Sequence, residues 1–291
     1  MICYIILHYN NTEVTIKCIN SLIKIITNKE SQIIIVDNGS QNDSYNILQS
    51  KFGSLSNLKI IKTKTNLGFA RGNNVGYCYA KKIFHPQFII VCNNDLIFEQ
   101  HGFEEKLLDI YERYNFDVAG PDIINLDGVH QNPHRTHMLS LKEISKMNRR
   151  KFIFLLYLKV KLRFSIFRKI NILETIYDRP KRENCSSMLH DESSIVVQGS
   201  CIIFSKNYIE QEDTAFCPDT FLYYEEDLLS LRCKKKGYTI KICPEIVVRH
   251  LEGKSTCPSG GTEIQKRIFS LSHMLESGRI YKDKLLKMNL F

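Results

Sequence analysis

Short apolar runs alternate with helical patterns over the first 125 residues. Nearly continuous hydrophobic runs are expected for strands that are buried on both faces of a sheet. The four runs are Ile2–Leu7, Gln32–Val36, Leu58–Lys62 and Gln87–Cys92. The segments between them predict helices that begin at Asn11 or Thr12 and that cover Asp43–Lys51 and Gly68–Ile83. Strands separated by helices predict right-handed βαβ units and a mostly parallel sheet.

The alternation stops after Gly120-Pro121 and resumes near residue 195. The later elements are predicted as a strand over Ile195–Phe204 interrupted by Gly199, a helix over Tyr224–Lys236 ended by Gly237, a strand over Lys241–His250 and a helix over Thr262–Glu276. We therefore divide the chain into residues 1–125, a basic insertion at 126–194, a second sheet-forming part at 195–256 and a C-terminal helical region at 257–291.

The composition is that of a globular protein, with 43% hydrophobic and 24% charged residues among 291. No apolar run approaches the roughly 20 residues that a membrane-spanning helix needs. The first apolar run begins at Ile2, without the basic region and cleavage site of a signal peptide, so we expect a cytoplasmic protein. The ten cysteines include no C-x-x-C pair, which argues against a zinc site and predicts reduced thiols in a reducing compartment.

The net charge of +9 is concentrated in one segment. Residues 130–182 contain 14 Lys or Arg and 3 acidic residues, whereas the rest of the chain has 26 basic and 28 acidic residues. The stretch Arg149–Lys169 mixes basic side chains with Phe152, Phe154, Leu155 and Leu158. Such a helix can bind an anionic membrane, with these four side chains entering the interface, or pack on the sheet with a solvated basic face. Because no nucleic-acid-binding fold is recognisable, we expect no nucleic-acid partner.

Polar residues follow each of the four predicted strands. In open parallel sheets, ligands bind beyond the carboxyl ends of the strands, which is where these residues fall. The clusters are His8-Tyr9-Asn10, Asp37-Asn38-Gly39-Ser40, Asn66-Leu67-Gly68 with Arg71, and Asn93-Asn94-Asp95. Loops favour Asn, Asp and Gly for conformational reasons alone, but four consecutive strand ends indicate a binding site.

The chain lacks the phosphate-binding patterns G-x-x-x-x-G-K-[ST] and G-x-G-x-x-G. An aspartate at a strand end, such as Asp95, suits a different way to hold a diphosphate, in which a divalent cation bridges carboxylate and phosphate oxygens. Asp37, at the end of the second strand, can accept hydrogen bonds from a base or a ribose.

The ordered series of motifs resembles glycosyltransferase family 2 with the GT-A fold, in the branch that includes rhamnosyltransferases of bacterial surface polysaccharides. The resemblance covers about residues 1–125 and 195–256. The matching motifs are Ile5–Asn10, Ile35–Ser40, Asn66–Ala70 with Gly72, Asn74 and Gly76, Asn93–Leu96, Gly199–Cys201, Phe221–Tyr238 around Glu225-Glu226-Asp227, and His250 with Gly253 and Ser255. It implies an α/β protein with a Rossmann-like mixed central sheet flanked by helices, to which the basic helical insertion is added.

The resemblance also implies a nucleotide-sugar site and a metal site. Asp37 would contact the nucleoside, and Gly199 and Ser200 would let the backbone approach the sugar. The other implied nucleotide-sugar residues are His8, Tyr9, Asn66, Gly68, Arg71, Asn93 and Asn94. Mg²⁺ or Mn²⁺ would bind Asp95 of the family's D-x-D motif, whose first position is Asn93 here. His250 matches a histidine that contacts the metal or the diphosphate in relatives, or it is simply a polar residue at a strand end.

The acidic cluster Glu225-Glu226-Asp227 opens a predicted helix. Acids in a first turn complement the helix dipole, and a positioned carboxylate can also remove the proton of an acceptor hydroxyl. The resemblance places the catalytic base in this motif. Counting back from Gly237 puts Glu226 at the base position, whereas residue type favours Asp227. We take Asp227 as the first candidate and Glu226 as the second.

The implied reaction is inverting transfer of a sugar from a UDP- or dTDP-sugar to a hydroxyl of a growing, lipid-linked bacterial surface polysaccharide. Residues 1–125 would bind the donor, 195–256 would bind the acceptor and supply the base, and the insertion would hold the protein at the inner face of the plasma membrane. The first alternative is a sugar-phosphate nucleotidyltransferase. Such an enzyme requires a glycine-rich basic loop after the first strand, and this chain has His8-Tyr9-Asn10-Asn11 at that place. Asp37, Asp95 and the acidic cluster together argue against the second alternative, a non-catalytic membrane-associated scaffold.

Overall fold

The described part of the chain forms a mixed sheet of eight strands with helices on both faces. The computed structural model describes residues 1–163, 195–252 and 261–288. The strands are β1 (Ile2–His8), β2 (Gln32–Asp37), β3 (Leu58–Lys62), β4 (Phe88–Asn93), β5 (Leu96–Ile97), β6 (Val118–Asn125), β7 (Cys201–Ser205) and β8 (Ile240–His250). Their order across the sheet is β3-β2-β1-β4-β7-β6-β8-β5.

The first four strands form a parallel unit, as predicted. β1 pairs in parallel with both β2 and β4, and β2 pairs in parallel with β3. β7 then runs antiparallel between β4 and β6, whereas β8 is parallel to β6 and antiparallel to β5. The predicted α/β class with a mixed central sheet is confirmed. Each of the strands β1 to β4 lies within one residue of its predicted bounds.

Helices connect the strands and flank the sheet. They are α1 (Thr12–Ile25), α2 (Ser44–Phe52), α3 (Gly68–Phe84), α4 (Phe103–Tyr114), α5 (Leu141–Arg163), α6 (Lys206–Gln211), α7 (Glu225–Lys236) and α8 (Glu263–Lys287). The strand predicted over Ile195–Phe204 is shorter in the structure and corresponds to β7. Its first part, at Val196, forms only an isolated bridge to Arg135. The chain then turns at residues 199–200 before β7 begins.

Both faces of the sheet are covered, which explains why the central strands are hydrophobic throughout. Along β1, Tyr4 and Ile6 belong to the core shared with α1, α2 and α4. Cys3 and Ile5 point the other way, into the core shared with α3, α6 and α7. The interiors of β1, β2 and β4 therefore carry no charged side chain, and polar residues gather at the ends of these strands.

A pair of helices packs beside this framework. α5 and α8 contact each other along their length, and Leu158 of α5 is buried with Leu271 and Leu275 of α8. Gly278 lies within α8 at a position where a Cβ would overlap the side chain of Asn148 on α5. The helix therefore continues to Lys287 rather than ending at Glu276, since the glycine serves a close helix–helix approach and not a helix end.

The orientation of α5 corrects the predicted membrane contact. Phe154, Leu155 and Leu158 are buried against α8 and cannot enter a lipid interface, and Lys151 and Lys161 are buried as well. In the described part of the segment, the exposed residues are instead the apolar Phe152, Ile153, Leu156, Val160 and Leu162 and the basic Arg149, Arg150, Lys159 and Arg163. The end of the predicted segment, residues 164–169, lies outside the described residues.

Membrane-spanning helices and paired cysteines are not expected from the sequence. Within the described ranges, no helix is both long enough and apolar enough to cross a bilayer. Of the eight cysteines in these ranges, Cys78 is exposed and the other seven are buried. Burial raises the pKa of the Cys3 thiol to about 12, so this thiol stays protonated and behaves as a small hydrophobic group.

Candidate active site

A cavity of about 350 Å³ lies at the carboxyl end of β4. Its lining combines Asn93 and the turn at 198–200 with the start of α7, Lys151 of α5 and Met274 of α8. The backbone N–H of Asn93 donates to the carbonyl of Ser200 (2.8 Å), which ties the end of β4 to this turn. The carboxyl end of the central strand β4 and the helical pair α5 and α8 thus contribute to one cavity.

Asp37 and the residues around it form a buried polar network at the end of β2. The backbone N–H of Ser40 donates to Asp37 Oδ1 (2.9 Å), whereas Asp37 Oδ2 is buried with no partner among the described residues. The amide of Asn38 donates to Asn66 Oδ1 and to the Gly68 carbonyl, both at 3.0 Å. Asp37 therefore has an acceptor to spare, and Asn66 shapes the loop beside it.

Gly68 and Arg71 hold α3 against the loop that precedes α7. Gly68 has φ +81°, and a Cβ there would overlap the carbonyl of Phe221. The backbone N–H of Phe69 donates to this carbonyl (2.7 Å), and Arg71 Nε donates to the carbonyl of Pro218 (2.8 Å). The structure thus gives both predicted nucleotide-pocket residues a packing role at the side of the site.

His8 and Asn94 converge on one threonine behind the strand ends. His8 Nδ1 lies 2.7 Å from Thr15 Oγ1, and the amide of Asn94 donates to the same oxygen (2.9 Å). Burial lowers the pKa of His8 to about 4, although the nearby Asp37 opposes this shift. His8 is therefore neutral near pH 7. Tyr9, the next residue, is half-buried at the end of β1.

Asp95 and His250 meet because β5 pairs with β8. The register places Leu96 opposite His250, and the backbone N–H of Leu251 donates to the carbonyl of Asp95 (2.9 Å). Asp95 Oδ1 is buried 3.3 Å from His250 Nε2, without hydrogen-bond geometry and without another partner in the described part of the chain. His250 Nδ1 donates to Gln131 Oε1 (2.7 Å), so Nε2 is the nitrogen that faces Asp95.

The acidic cluster begins α7 after an unusual turn. Tyr223 and Tyr224 both have left-handed backbone conformations, with φ of 73° and 66°. Lys151 Nζ donates to the Tyr224 hydroxyl (2.7 Å), and Ser277 Oγ of α8 donates to the carbonyl of Leu222 (2.7 Å). The two added helices therefore fix the turn that presents the acids.

The three acids have different surroundings. Glu225 is buried, and its burial, followed by the negative charge of Glu226, raises its pKa to about 8. Glu226 is half-buried in the cavity lining, and its carboxylate lies where a Cβ of Gly199 would be. Asp227 is buried and forms an ion pair with Arg135. Asp227 is thus ion-paired and Glu225 is protonated near pH 7, which leaves Glu226 as the cavity-lining acid without an ion pair within 4.0 Å in the described part of the chain.

Comparison with known proteins decides the family. The sequence pattern of Glycosyl transferase family 2 matches residues 3–171, which is more than half of the chain. The chain belongs to glycosyl transferase family 2.

Relatives of this family 2 chain include characterised and solved proteins. The low-salt glycan biosynthesis hexosyltransferase Agl10 of Haloferax volcanii is 23% identical over 221 residues, which make up 76% of this chain and 59% of that protein. S. aureus TarS 1-349 in complex with UDP-GlcNAc matches with a TM-score of 0.58 and 14% identity, over 99% of this chain and 71% of that one. The chain spans 36% of the longer TarS structure, so it corresponds to only part of these proteins.

A mannosyltransferase has a similar structure. PcManGT from Pyrobaculum calidifontis, in complex with GDP-Man and Mn²⁺, matches with a TM-score of 0.55 and 9% identity, over 99% of this chain and 73% of that one. Similarity at these identities concerns the fold. It confirms the predicted GT-A fold for this family 2 protein.

Sequence patterns did not reveal four residues of this site. Arg135 and Gln131 lie in the insertion, where no motif marks them, and each reaches its partner only through the tertiary fold. Glu252 lies just after β8 and accepts a hydrogen bond from Gln131 (2.6 Å). Lys151 belongs to the basic segment, and composition alone could not separate this buried lysine from the exposed ones.

We expect Glu225→Gln to make stability less dependent on pH. The carboxyl group is protonated in the folded state up to about pH 8, from an ordinary value of 4.5. The unfolded chain therefore releases this proton first, and the free energy of unfolding of the wild type falls as pH rises from about 5 to 8. Melting temperatures should be measured from pH 5 to 9. The melting temperature of the variant should rise relative to that of the wild type between pH 5 and 8, and the difference should stay constant above pH 8.

The surface change Glu30→Gln is the control and should leave the two melting curves parallel across this pH range. Parallel curves for Glu225→Gln and the wild type would contradict the protonated state of Glu225.

Proposed function

We propose that the protein transfers a sugar from a nucleotide-diphosphate sugar to a hydroxyl group of a lipid-linked glycan, with inversion at the anomeric carbon. One observation carries the proposal: His250, which adjoins Asp95, and the carboxylate of Glu226 line the same cavity. Such a cavity offers a place for a diphosphate and a base for the acceptor hydroxyl, the two requirements of this reaction. Membership of glycosyl transferase family 2 supports the reaction type.

The donor in this proposal is a UDP- or dTDP-sugar that lies over the carboxyl ends of β1, β2 and β4. Asp37 Oδ2, buried and without a partner in the described ranges, would accept a hydrogen bond from the base or the ribose. Ser200 Oγ is likewise buried without a partner there and lines the cavity, so it would face the sugar. TarS was solved with UDP-GlcNAc and PcManGT with GDP-Man, which supports a nucleotide-sugar as the donor class.

Asp95 and His250 would hold a divalent cation, Mg²⁺ or Mn²⁺. The pair fits a cation because Asp95 Oδ1 is a buried acceptor without a hydrogen bond in the described residues and His250 Nε2 lies 3.3 Å from it. No group of three or more His, Cys, Asp or Glu side chains suited to a metal occurs in those residues. Two protein ligands suffice where phosphate oxygens complete the shell. A bound cation would neutralise charge on the leaving diphosphate.

Glu226 is the base in this proposal, in preference to the first candidate, Asp227. The carboxylate of Asp227 is buried and neutralised by Arg135, so its role is to hold the start of α7 to the insertion. Glu226 instead lies against Gly199, in the lining of the cavity. Its carboxylate can therefore reach a hydroxyl group that enters the cavity, as a general base must.

We expect Glu226→Gln to slow sugar transfer by at least about a hundredfold, the low end for loss of a general base. Hydrolysis of the bound nucleotide-sugar in the presence of Mn²⁺ should fall in parallel, because water needs the same base. Binding of the donor, measured by its effect on the melting temperature, should not change.

Asp227→Asn is the matched variant. It leaves Arg135 without its anion, so the expected result is a loss of stability on the order of 3 kcal/mol. If Asp227→Asn removes turnover at an unchanged melting temperature while Glu226→Gln stays active, the assignment of the base is reversed.

The acceptor in this proposal is presented by an anionic membrane, and α5 supplies the contact. Phe152, Leu156 and Val160 follow one another at intervals of four residues and form one exposed row. Exposed basic side chains surround this row: Arg149, Arg150 and Lys159. An exposed row of apolar side chains flanked by cations is the pattern of helices that lie in a membrane interface.

We expect the protein to sediment with vesicles of phosphatidylglycerol and phosphatidylcholine at low salt, and not with vesicles of phosphatidylcholine alone. Replacing Arg149, Arg150 and Lys159 with Gln should weaken binding on the order of a hundredfold, at roughly 1 kcal/mol for each charge. Added salt should weaken it too, because it screens these charges.

The control removes the same charge elsewhere, through Lys59→Gln, Lys234→Gln and Lys235→Gln, which are exposed outside α5. Equal loss of binding in the control would mean that net charge rather than the α5 surface is responsible. A wild type that stays in the supernatant would contradict the membrane contact.

A further inference from the structure

Lys151 is a buried cation in the wall of the cavity. It lies on the face of α5 that packs inward, and only 9% of its surface is exposed. The neighbouring lining residues Met147, Leu222 and Met274 are apolar. Burial at this position removes most of the hydration of the ammonium group.

The contacts of Lys151 leave its charge without an anion. Its Nζ donates to the hydroxyl of Tyr224 (2.7 Å) and lies 4.8 Å from the centre of the same aromatic ring. No carboxylate within 4.0 Å pairs with it in the described part of the chain. An ammonium group has three N–H donors, so two of them lack an acceptor there. Burial lowers the pKa of Lys151 to about 8, and the more distant Asp227 only partly opposes this effect.

The other charged side chains that line the cavity form no ion pair with Lys151 in the described part of the chain. Arg135, the second cation of the lining, is paired with Asp227. Glu226 lies against Gly199. Lys151 is thus the cation of this cavity that lacks a counter-ion among the described residues, and the free protein bears the cost of its burial.

We propose that Lys151 binds an acidic group of the acceptor, a phosphate or a carboxylate. The proposal rests on the proposed function, because it places the acceptor in this cavity. An anion at this position would accept the two remaining N–H donors in charge-assisted hydrogen bonds. Two sources offer this chemistry: the phosphate that joins a lipid to its glycan, and an acidic sugar within the glycan. The apolar side chains of Met147 and Met274 in the lining of the same cavity suit the first source.

The test compares acidic probes with neutral counterparts by their effect on the melting temperature at pH 7. Farnesyl phosphate is compared with farnesol, and methyl glucuronide with methyl glucoside. The variants are Lys151→Met and, as a control, Lys146→Met at an exposed position of the same helix. UDP with Mn²⁺ is added to parallel samples, so that a failure of the donor site is seen separately from a failure of this proposal.

We expect an acidic probe, and not its neutral counterpart, to raise the melting temperature of the wild type and of Lys146→Met. Affinity for that probe should fall at least about tenfold in Lys151→Met, through loss of a charge-assisted contact. Without probes this variant loses the hydrogen bond to Tyr224 together with a buried charge that has no anion, so its melting temperature should stay close to that of the wild type. A response to farnesyl phosphate identifies the lipid phosphate, and a response to methyl glucuronide identifies an acidic sugar.

Three results would overturn the proposal. The first is a wild type that responds to neither acidic probe while UDP with Mn²⁺ still raises its melting temperature. The second is an equal response of the wild type and Lys151→Met to the acidic probe. The third is a Lys151→Met protein that is strongly destabilised while the wild type ignores both acidic probes, since Lys151 would then serve only to hold Tyr224.

Discussion

Burial of both faces of the central sheet is the constraint from which the site follows. Helices cover β1 on either side, so its interior side chains are apolar or, like Tyr4, have their polar group hydrogen-bonded. Parallel pairing then brings the carboxyl ends of β1, β2 and β4 to one edge, and the polar residues of each end meet there. Asp37 and Asn93 lie on either side of the end of β1 for this reason, although 56 positions of sequence separate them.

The second half of the site depends on a strained turn that the added helices hold in place. Two successive left-handed tyrosines, Tyr223 and Tyr224, direct Glu226 towards Gly199, at a cost on the order of 1–3 kcal/mol each. Lys151 of α5 and Ser277 of α8 bond to this turn from the helical pair, and Arg135 secures the first turn of α7 through Asp227. The insertion is therefore part of the construction of the site and not only an attachment to it.

Local features of the sequence were sufficient to predict the parallel sheet and the polar strand ends, because burial and turn chemistry act over a few residues. The meeting of Asp95 with His250 depends on the register of β5 and β8, which only the motif series indicated. The membrane-facing side of α5 was predicted wrongly for Phe154, Leu155 and Leu158. Apolar and basic residues occur on both faces of this helix, so its periodicity could not show which face packs on α8. The Arg135–Asp227 ion pair joins segments 92 residues apart and has no local signal.

Binding of a nucleotide-diphosphate sugar together with a divalent cation at the carboxyl ends of β1, β2 and β4 is central to the proposed function. The most direct measurement is the melting temperature with UDP-, dTDP- and GDP-sugars, with and without Mn²⁺, for the wild type and for Asp95→Ala. We predict that one nucleotide-sugar raises the melting temperature of the wild type more strongly with Mn²⁺, because a ligand that binds the native state stabilises it. Asp95→Ala should fold but lose the Mn²⁺-dependent part. A wild type that responds to no nucleotide-sugar, or an Asp95→Ala variant that keeps the full Mn²⁺ effect, would contradict the account.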